Sequence, residues 1–343
     1  MTRLSPGALR ILALLLVLVL VAAFFATQID NYLNARLFNR ISSSVAIVAL
    51  IATGQTLVIL TRNIDLSLGS VVGFVAYATG AIVSAAPEIH PVLLALAALA
   101  IGAGFGLLNG LLVAYAGIPS IITTLAAMAI YRSALVEFSG AQSITTEDLP
   151  QWLVDFPNTQ LFTLAGVQFR AAFVAAVVIV ILVHLALLRL RPARALYAVG
   201  SNPEAAEMAG IDARRTVLAA FVAAGALAGL AGLFFLARFG NITVVAGLGF
   251  ELKSIAAAVL GGVSINGGSG SVIGALIGAV LVDLIENSLV RWELVSEFWR
   301  EAVLGFLILS AVSADALLMR RLTRLRIRRE KAAPAPTPKE ATS

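Results

Sequence analysis

Runs of about twenty apolar residues recur along this chain, joined by short polar or basic segments, and that pattern excludes most folds. A run of that length lets an α-helix cross the hydrocarbon of a bilayer, and lipid admits only helices and closed barrels as spanning structures. Of the 343 residues, 60% are hydrophobic and only 13% charged, about half the charge of an ordinary soluble domain. The fold class is therefore all-α polytopic membrane protein, in one domain. The runs fall near residues 11–27, 43–60, 70–86, 91–116, 118–135, 171–189, 216–237, 252–265, 268–287 and 299–319, giving about ten expected spans. The first, preceded by Arg3 and Arg10, has the outline of a signal peptide but is read as an uncleaved anchor, because further spans follow it.

Basic residues orient the spans. With the N-terminus inside, the inner segments hold Arg3, Arg10, Arg62, Arg189, Arg191, Arg194, Arg214 and Arg215, and a tail carrying Arg320, Arg321, Arg324, Arg326, Arg328, Arg329, Lys331 and Lys339. The outer segments hold fewer: Arg36, Arg40, Arg170, Arg238, Lys253, Arg291 and Arg300. This bias places both termini in the cytoplasm of a bacterial cell, with the protein in its inner membrane. Residues 1–10 are then a cytoplasmic N-terminus, 11–319 the membrane domain and 320–343 a disordered basic tail. The net charge of +5 collects at span ends and in that tail, which argues for topology rather than nucleic-acid binding. The lack of cysteine excludes disulfides, thiolate metal sites and cysteine nucleophiles, and His90 and His184, far apart in sequence, show no metal-ligand spacing. The outer loop near 136–170 contains EDLPQWLVDF, a short interfacial helix in which Trp152 and Phe156 either cover the span ends or dock a partner.

Two polar, glycine-bearing breaks echo each other. Residues 63–73 read NIDLSLGSVVG and residues 264–274 read SINGGSGSVIG. At a constant offset of 201, Ile64, Gly69, Ser70, Val71 and Gly73 match Ile265, Gly270, Ser271, Val272 and Gly274, and Asp65 falls on Asn266. Paired interruptions in two halves mark a transporter built from repeats. Both breaks approach the cytoplasmic side, so the repeats are parallel. Irregular backbone at membrane depth survives only when buried in protein or lining water. The candidate pathway or hinge residues are accordingly Asn63, Asp65, Ser67, Gly69, Ser70 and Asn109, with Ser264, Asn266, Gly267, Gly268, Ser269 and Gly270. The glycines, including Gly73, Gly274 and Gly278, equally suit close helix packing. Asp65 suits a cap on the helix beginning near Leu66 as well as a solute contact. Arg132, Asp283 and Glu286, with Asn287 beside them, are read as paired structural groups within spans. The segment GGVSINGGSGS lacks the lysine of a phosphate-binding loop, and no such motif occurs elsewhere in the chain.

The inner loop at 190–215 carries YAVGSNPEAAEMAGIDARR. Asn202 is a good N-cap, Pro203 suits the first helical position, Glu204 and Glu207 complement the helix dipole, and Gly210 stops the helix. A helix this short is marginal alone in water, so it is expected to dock on something.

EAAEMAGI resembles the coupling loop of ATP-binding-cassette importer permeases, with Glu204, Ala205, Ala206 and Gly210 on the motif. LTRNIDLSLGS, ITTLAAMAIYRS and VLGGVSINGGSGSVIGALIGA, in that order, resemble the ribose, xylose, rhamnose and autoinducer-2 permeases over about residues 40–315. They are most similar to the autoinducer-2 and rhamnose branch. The resemblance implies a type II-like permease with about ten spans. It also implies a dimer of identical or homologous permease chains, a periplasmic sugar-binding protein that sets most of the selectivity, and a separate cytoplasmic ATPase that binds the ATP and Mg. On it, Asn202, Pro203, Glu204, Ala205, Ala206, Glu207, Gly210 and Ile211 form the coupling helix, and no cofactor or catalytic residue belongs to this chain. The rival reading of the residues is an ion-coupled sugar carrier, for which Asp65 is the candidate carboxylate. A channel lacks an evident selectivity ring, and an enzyme lacks a converging catalytic set.

Overall fold

The computed structural model describes residues 6–164 and 167–292, together with 299, 301–303, 305–310 and 313. Eight of its helices have the length and apolar composition to cross a membrane. They are α1 (Pro6–Gln28), α2 (Ala35–Leu60), α3 (Leu68–Ala85), α4 (Pro91–Ala114) and α5 (Ser120–Ser139), then α7 (Ala171–Arg189), α10 (Ala213–Phe239) and α12 (Val272–Arg291). Shorter helices lie between them: α6 (Gln151–Asp155), α8 (Arg191–Ser201), α9 (Pro203–Met208) and α11 (Phe250–Leu260). The eighth expected span, 252–265, is the one that changes character. Helix α11 has 11 residues, roughly half of what a crossing requires, and it stops at Gly261 and Gly262, where Gly262 has φ +85°. Of the tenth expected span, 301–303 and 305–310 are helical. Residues 1–5 and the tail at 320–343 lie outside the described residues.

Helix α2 is the axis of the bundle: 89% of its most apolar window is buried, against 6% for α1. Helices α10, α12, α11 and α7 pack around it, and α10 also packs along α3 and α4. Leu96, Leu108, Ile122, Leu125, Ile130 and Leu182 remain exposed on α4, α5 and α7. Lipid accounts for such a belt, which water would not tolerate.

Small residues let the helices touch. A Cβ on Gly102 or Gly106 of α4 would overlap the carbonyls of Gly225 or Phe221 on α10, and one on Gly225 or Gly229 would overlap those of Gly102 or Ala98. Two small-xxx-small faces therefore interlock backbone to backbone. In the α11–α12 hairpin, Gly274 closes on Gly261 and Gly278 on Ala257, so the expected packing role of those glycines holds. Charged side chains in this region find partners inside the protein. Lys253 Nζ donates to Glu286 Oε2 at 2.6 Å, Ser44 Oγ to Asp283 Oδ1 at 2.7 Å, and Arg132 to the carbonyls of Ala246 and Val244.

The loop after α5 is a cover. Leu153 of α6 is buried, Trp152 is half-buried, and the Phe156 ring meets Phe234 of α10 at 5.4 Å. An antiparallel hairpin, β1 (Gln160–Leu164) with β2 (Val167–Arg170), follows and leads into α7. This hairpin is a local addition to the helical architecture that the sequence reading did not contain.

Replacing Gly225 by Val is expected to cost about 3 kcal/mol or more, since backbone rather than a movable side chain opposes the new methyls. Thermal unfolding of the detergent-solubilised protein measures this, and an unchanged midpoint would contradict the interlocked packing.

Candidate functional site

The expected inner helix forms as α9, six residues long. Asn202 is its N-cap, with Oδ1 accepting from Ala205 N at 3.1 Å, and Pro203 opens it. Gly210 takes φ +79°, which favours glycine, and Ile211 N turns back to Ala206 O at 2.9 Å. Only Ala206 is buried; Glu204, Ala205, Glu207 and Ala209 are exposed, and Met208 is 85% exposed. The helix thus presents acidic groups and a bare methionine outwards while one alanine anchors it.

What α9 stands on is the informative part. Arg62, immediately before the first polar break, reaches across to the end of α8: its Nε donates to Gly200 O and its Nη2 to Ser201 O at 2.6 Å. Gly268, in the second break, donates its N–H to Leu60 O at 3.0 Å. Tyr197 of α8 donates to Gly270 O at 3.1 Å, and burial pushes its phenol above the ordinary value, so it remains a donor. A Cβ on Gly200 would overlap Leu60 O and Gly268 N. Both breaks therefore meet each other and the residues immediately before α9. Arg62 holds φ +66°, unusual for a non-glycine residue.

Above this clamp the first break is wired into α4 and α5. Asp65 Oδ1 accepts from Ser67 N at 2.8 Å and Ser67 Oγ at 2.7 Å, closing a turn that starts α3. Asn109 Nδ2 donates to Ser67 Oγ at 2.8 Å, and Tyr131 OH donates to Asn109 Oδ1 at 2.8 Å. Thr124 and Ser120 of α5 accept from Leu66 N at 3.0 Å and Ile64 N at 3.2 Å. In one of its amide orientations, Gln55 pairs with both backbone groups of Asp65, at 3.0 and 3.3 Å. Asp65, Ser67 and Asn109 are thus brought together, and all are buried.

The other expected residues divide. Ser70 donates to Met128 O at 3.0 Å, Asn63 bonds back to Thr61 O at 2.9 Å, and Gly69 lies against Gly247 and Glu251. In the second break, Gly267 N bonds Ser264 O, and Ser264 N bonds Ser269 O, each at 2.9 Å. Gly267 and Gly268 have φ +78° and +68°. Asn266 and Ser269 are exposed, so the buried network draws on α4 and α5 rather than on the second break. Sequence reasoning missed Tyr131, Thr124, Tyr197 and the clamp role of Arg62, which it counted only as an orientation signal.

Residues 37–312 match the family described as branched-chain amino acid transport system, permease component. The chain belongs to this permease family. Among curated relatives, the autoinducer 2 import system permease protein LsrC of Yersinia enterocolitica is 36% identical over 290 residues, covering 84% of this chain and 77% of that protein. Its counterpart in Enterobacter sp. (strain 638) is 37% identical over 293 residues, covering 85% and 82%. The one in Escherichia coli O9:H4 is 34% identical over 317 residues, covering 91% and 90%. No solved structure gives a significant match. The family and the eight long apolar helices together make this permease a multi-pass membrane protein.

Removing the Arg62 side chain leaves the Gly200 and Ser201 carbonyls without their charged donor. Arg62→Ala is expected to weaken the clamp by about 1–2 kcal/mol and to speed hydrogen exchange at the Gly268 amide about tenfold. Unchanged exchange there would show that Arg62 does not hold the breaks to α8.

Proposed function

We propose that this permease is the membrane subunit of an ATP-driven importer for a sugar-like solute, in the bacterial inner membrane with both termini cytoplasmic. What carries the reading is the exposed face of α9 set on a clamp that joins both polar breaks. A helix two residues from the Arg62 contacts cannot be displaced without pulling on the ends of α2, α3, α11 and α12. A separate ATPase, binding ATP and Mg, would grip Glu204, Glu207 and Met208, and its closure would move both breaks together. A second permease chain, identical or homologous, would supply the other wall of the pathway, and a periplasmic binding protein would deliver solute from the opposite face. The names of the relatives favour autoinducer-2 or a related sugar such as rhamnose or ribose as cargo. The basic starts of α8 and α10, with Arg191, Arg194, Arg214 and Arg215, support a cytoplasmic α9.

The ion-coupled reading is the less favoured one, because the exposed α9 is a docking element that such a carrier does not need, although Oδ2 of Asp65 and Oδ2 of Asp283 are buried without a hydrogen-bond partner. In proteoliposomes containing the ATPase and binding protein, Glu204→Arg should reduce ATP-dependent uptake about tenfold or more, with unfolding unchanged, as expected for a reversed charge in a docked interface. Undiminished uptake, or uptake that needs an ion gradient and no ATPase, would overturn the proposal.

A further inference from the structure

The end of the bundle remote from α9 holds a cavity that the transport reading leaves unused. It has a volume of about 440 Å³ and lies among the first turns of α2, the end of α10 and the loop before α7. Arg36, Arg40, Arg170 and Arg238 line it, with Asn39 and Asn158 between them, and among the described residues no carboxylate lines it. Four guanidiniums around one space repel one another unless an anion joins them. Their donors are also incompletely used. Arg170 Nη1 donates to Asn158 Oδ1 at 3.1 Å, yet Arg170 Nε and Arg238 Nη1 are buried with no acceptor. Of the charges near Arg238, Asp283 attracts it more than Arg170 repels it, but Asp283 lies outside the cavity lining, whereas Arg170 faces Arg238 from within it. A buried guanidinium N–H without an acceptor is costly and calls for an explanation.

We propose that this cavity binds a phosphate group, carried either by the head group of an anionic phospholipid or by a free phosphate ester. Phosphate offers more charge than a single carboxylate and several acceptor oxygens, and guanidinium forks pair with it in bidentate fashion. The volume leaves room for the alcohol to which the phosphate is esterified. Both sources can reach the site. Arg170 ends the β1–β2 hairpin, whose Leu161, Phe162 and Leu164 are exposed apolar residues and mark the lipid boundary beside the cavity. Val167 and Phe173, flanking Arg170 in sequence, line a separate apolar groove of about 500 Å³ along α1, α2 and α12 that suits an acyl chain.

Two probes distinguish the sources. Detergent-purified, delipidated protein is titrated with inorganic phosphate against chloride at equal ionic strength and followed by thermal unfolding. In parallel, protein from nanodiscs of phosphatidylcholine, with or without phosphatidylglycerol, is examined for retained lipid by native mass spectrometry. Phosphate stabilisation without lipid retention identifies a free phosphate ester; retained phosphatidylglycerol identifies the head group. In either case Arg170→Gln should weaken the response about tenfold or more. Arg36→Gln, an exposed position that does not threaten folding, should weaken it about threefold, and Arg189→Gln, at the other end of the bundle, should leave it unchanged. If neither probe separates the wild-type protein from Arg170→Gln and Arg36→Gln, the proposal is wrong. It is equally wrong if those variants lose only the association with an acidic binding protein.

Discussion

Wherever a helix stops at membrane depth, its last carbonyls and the next helix's first amides have no water to bond, and they must be satisfied inside the protein. Two such stops occur among the described residues, after Leu60 and after Leu260, and the first is resolved by neighbours rather than by solvent. Leu60 O takes the Gly268 amide. The chain from Ile64 to Ser67 takes Ser120, Thr124, Asp65 and, through Ser67, Asn109. Arg62 carries the first stop over to Gly200 and Ser201. The first irregular segment is consequently tied to α4, α5 and the end of α8.

That cross-linking decides what the molecule can transmit. Leu60, Gly200 and Gly268 approach so closely that a single Cβ on Gly200 would collide with both neighbours, so the ends of α2 and α8 and the segment after α11 are packed directly together. Packed interfaces of this kind switch between discrete arrangements more readily than they deform. On the proposed reading, a motor that grips α9 moves these packed segments together. The interlocked glycines of α4 and α10 then carry the displacement along the length of the bundle.

Much of this was legible in sequence. The N-cap Asn202, Pro203 and the stop at Gly210 announce a short helix because each residue type has one favoured place at a helix end, and the structure puts them there. The two breaks were visible as polar interruptions. Other features were hidden for physical reasons. Hydropathy continues through Val263, so it cannot see that Gly261 and Gly262 end α11 after 11 residues. The pairing of Gly102 and Gly106 with Gly225 and Gly229 joins positions more than a hundred residues apart, which no local pattern encodes. Arg62 reads as an orientation charge until the carbonyls it bonds are in view. The β1–β2 hairpin packs through β2 on α2 and α7, contacts that no local pattern encodes.

The central claim is that α9 faces the motor side and carries its force, and the absence of cysteine from the sequence allows it to be tested with single thiols. Met208→Cys and Leu33→Cys would be labelled with a membrane-impermeant maleimide in inside-out and right-side-out vesicles. The account predicts that the thiol at 208 reacts only in inside-out vesicles and is shielded when the ATPase is bound, while the thiol at 33 reacts only in right-side-out vesicles. Labelling of both from one face, or a position 208 indifferent to the ATPase, would contradict it.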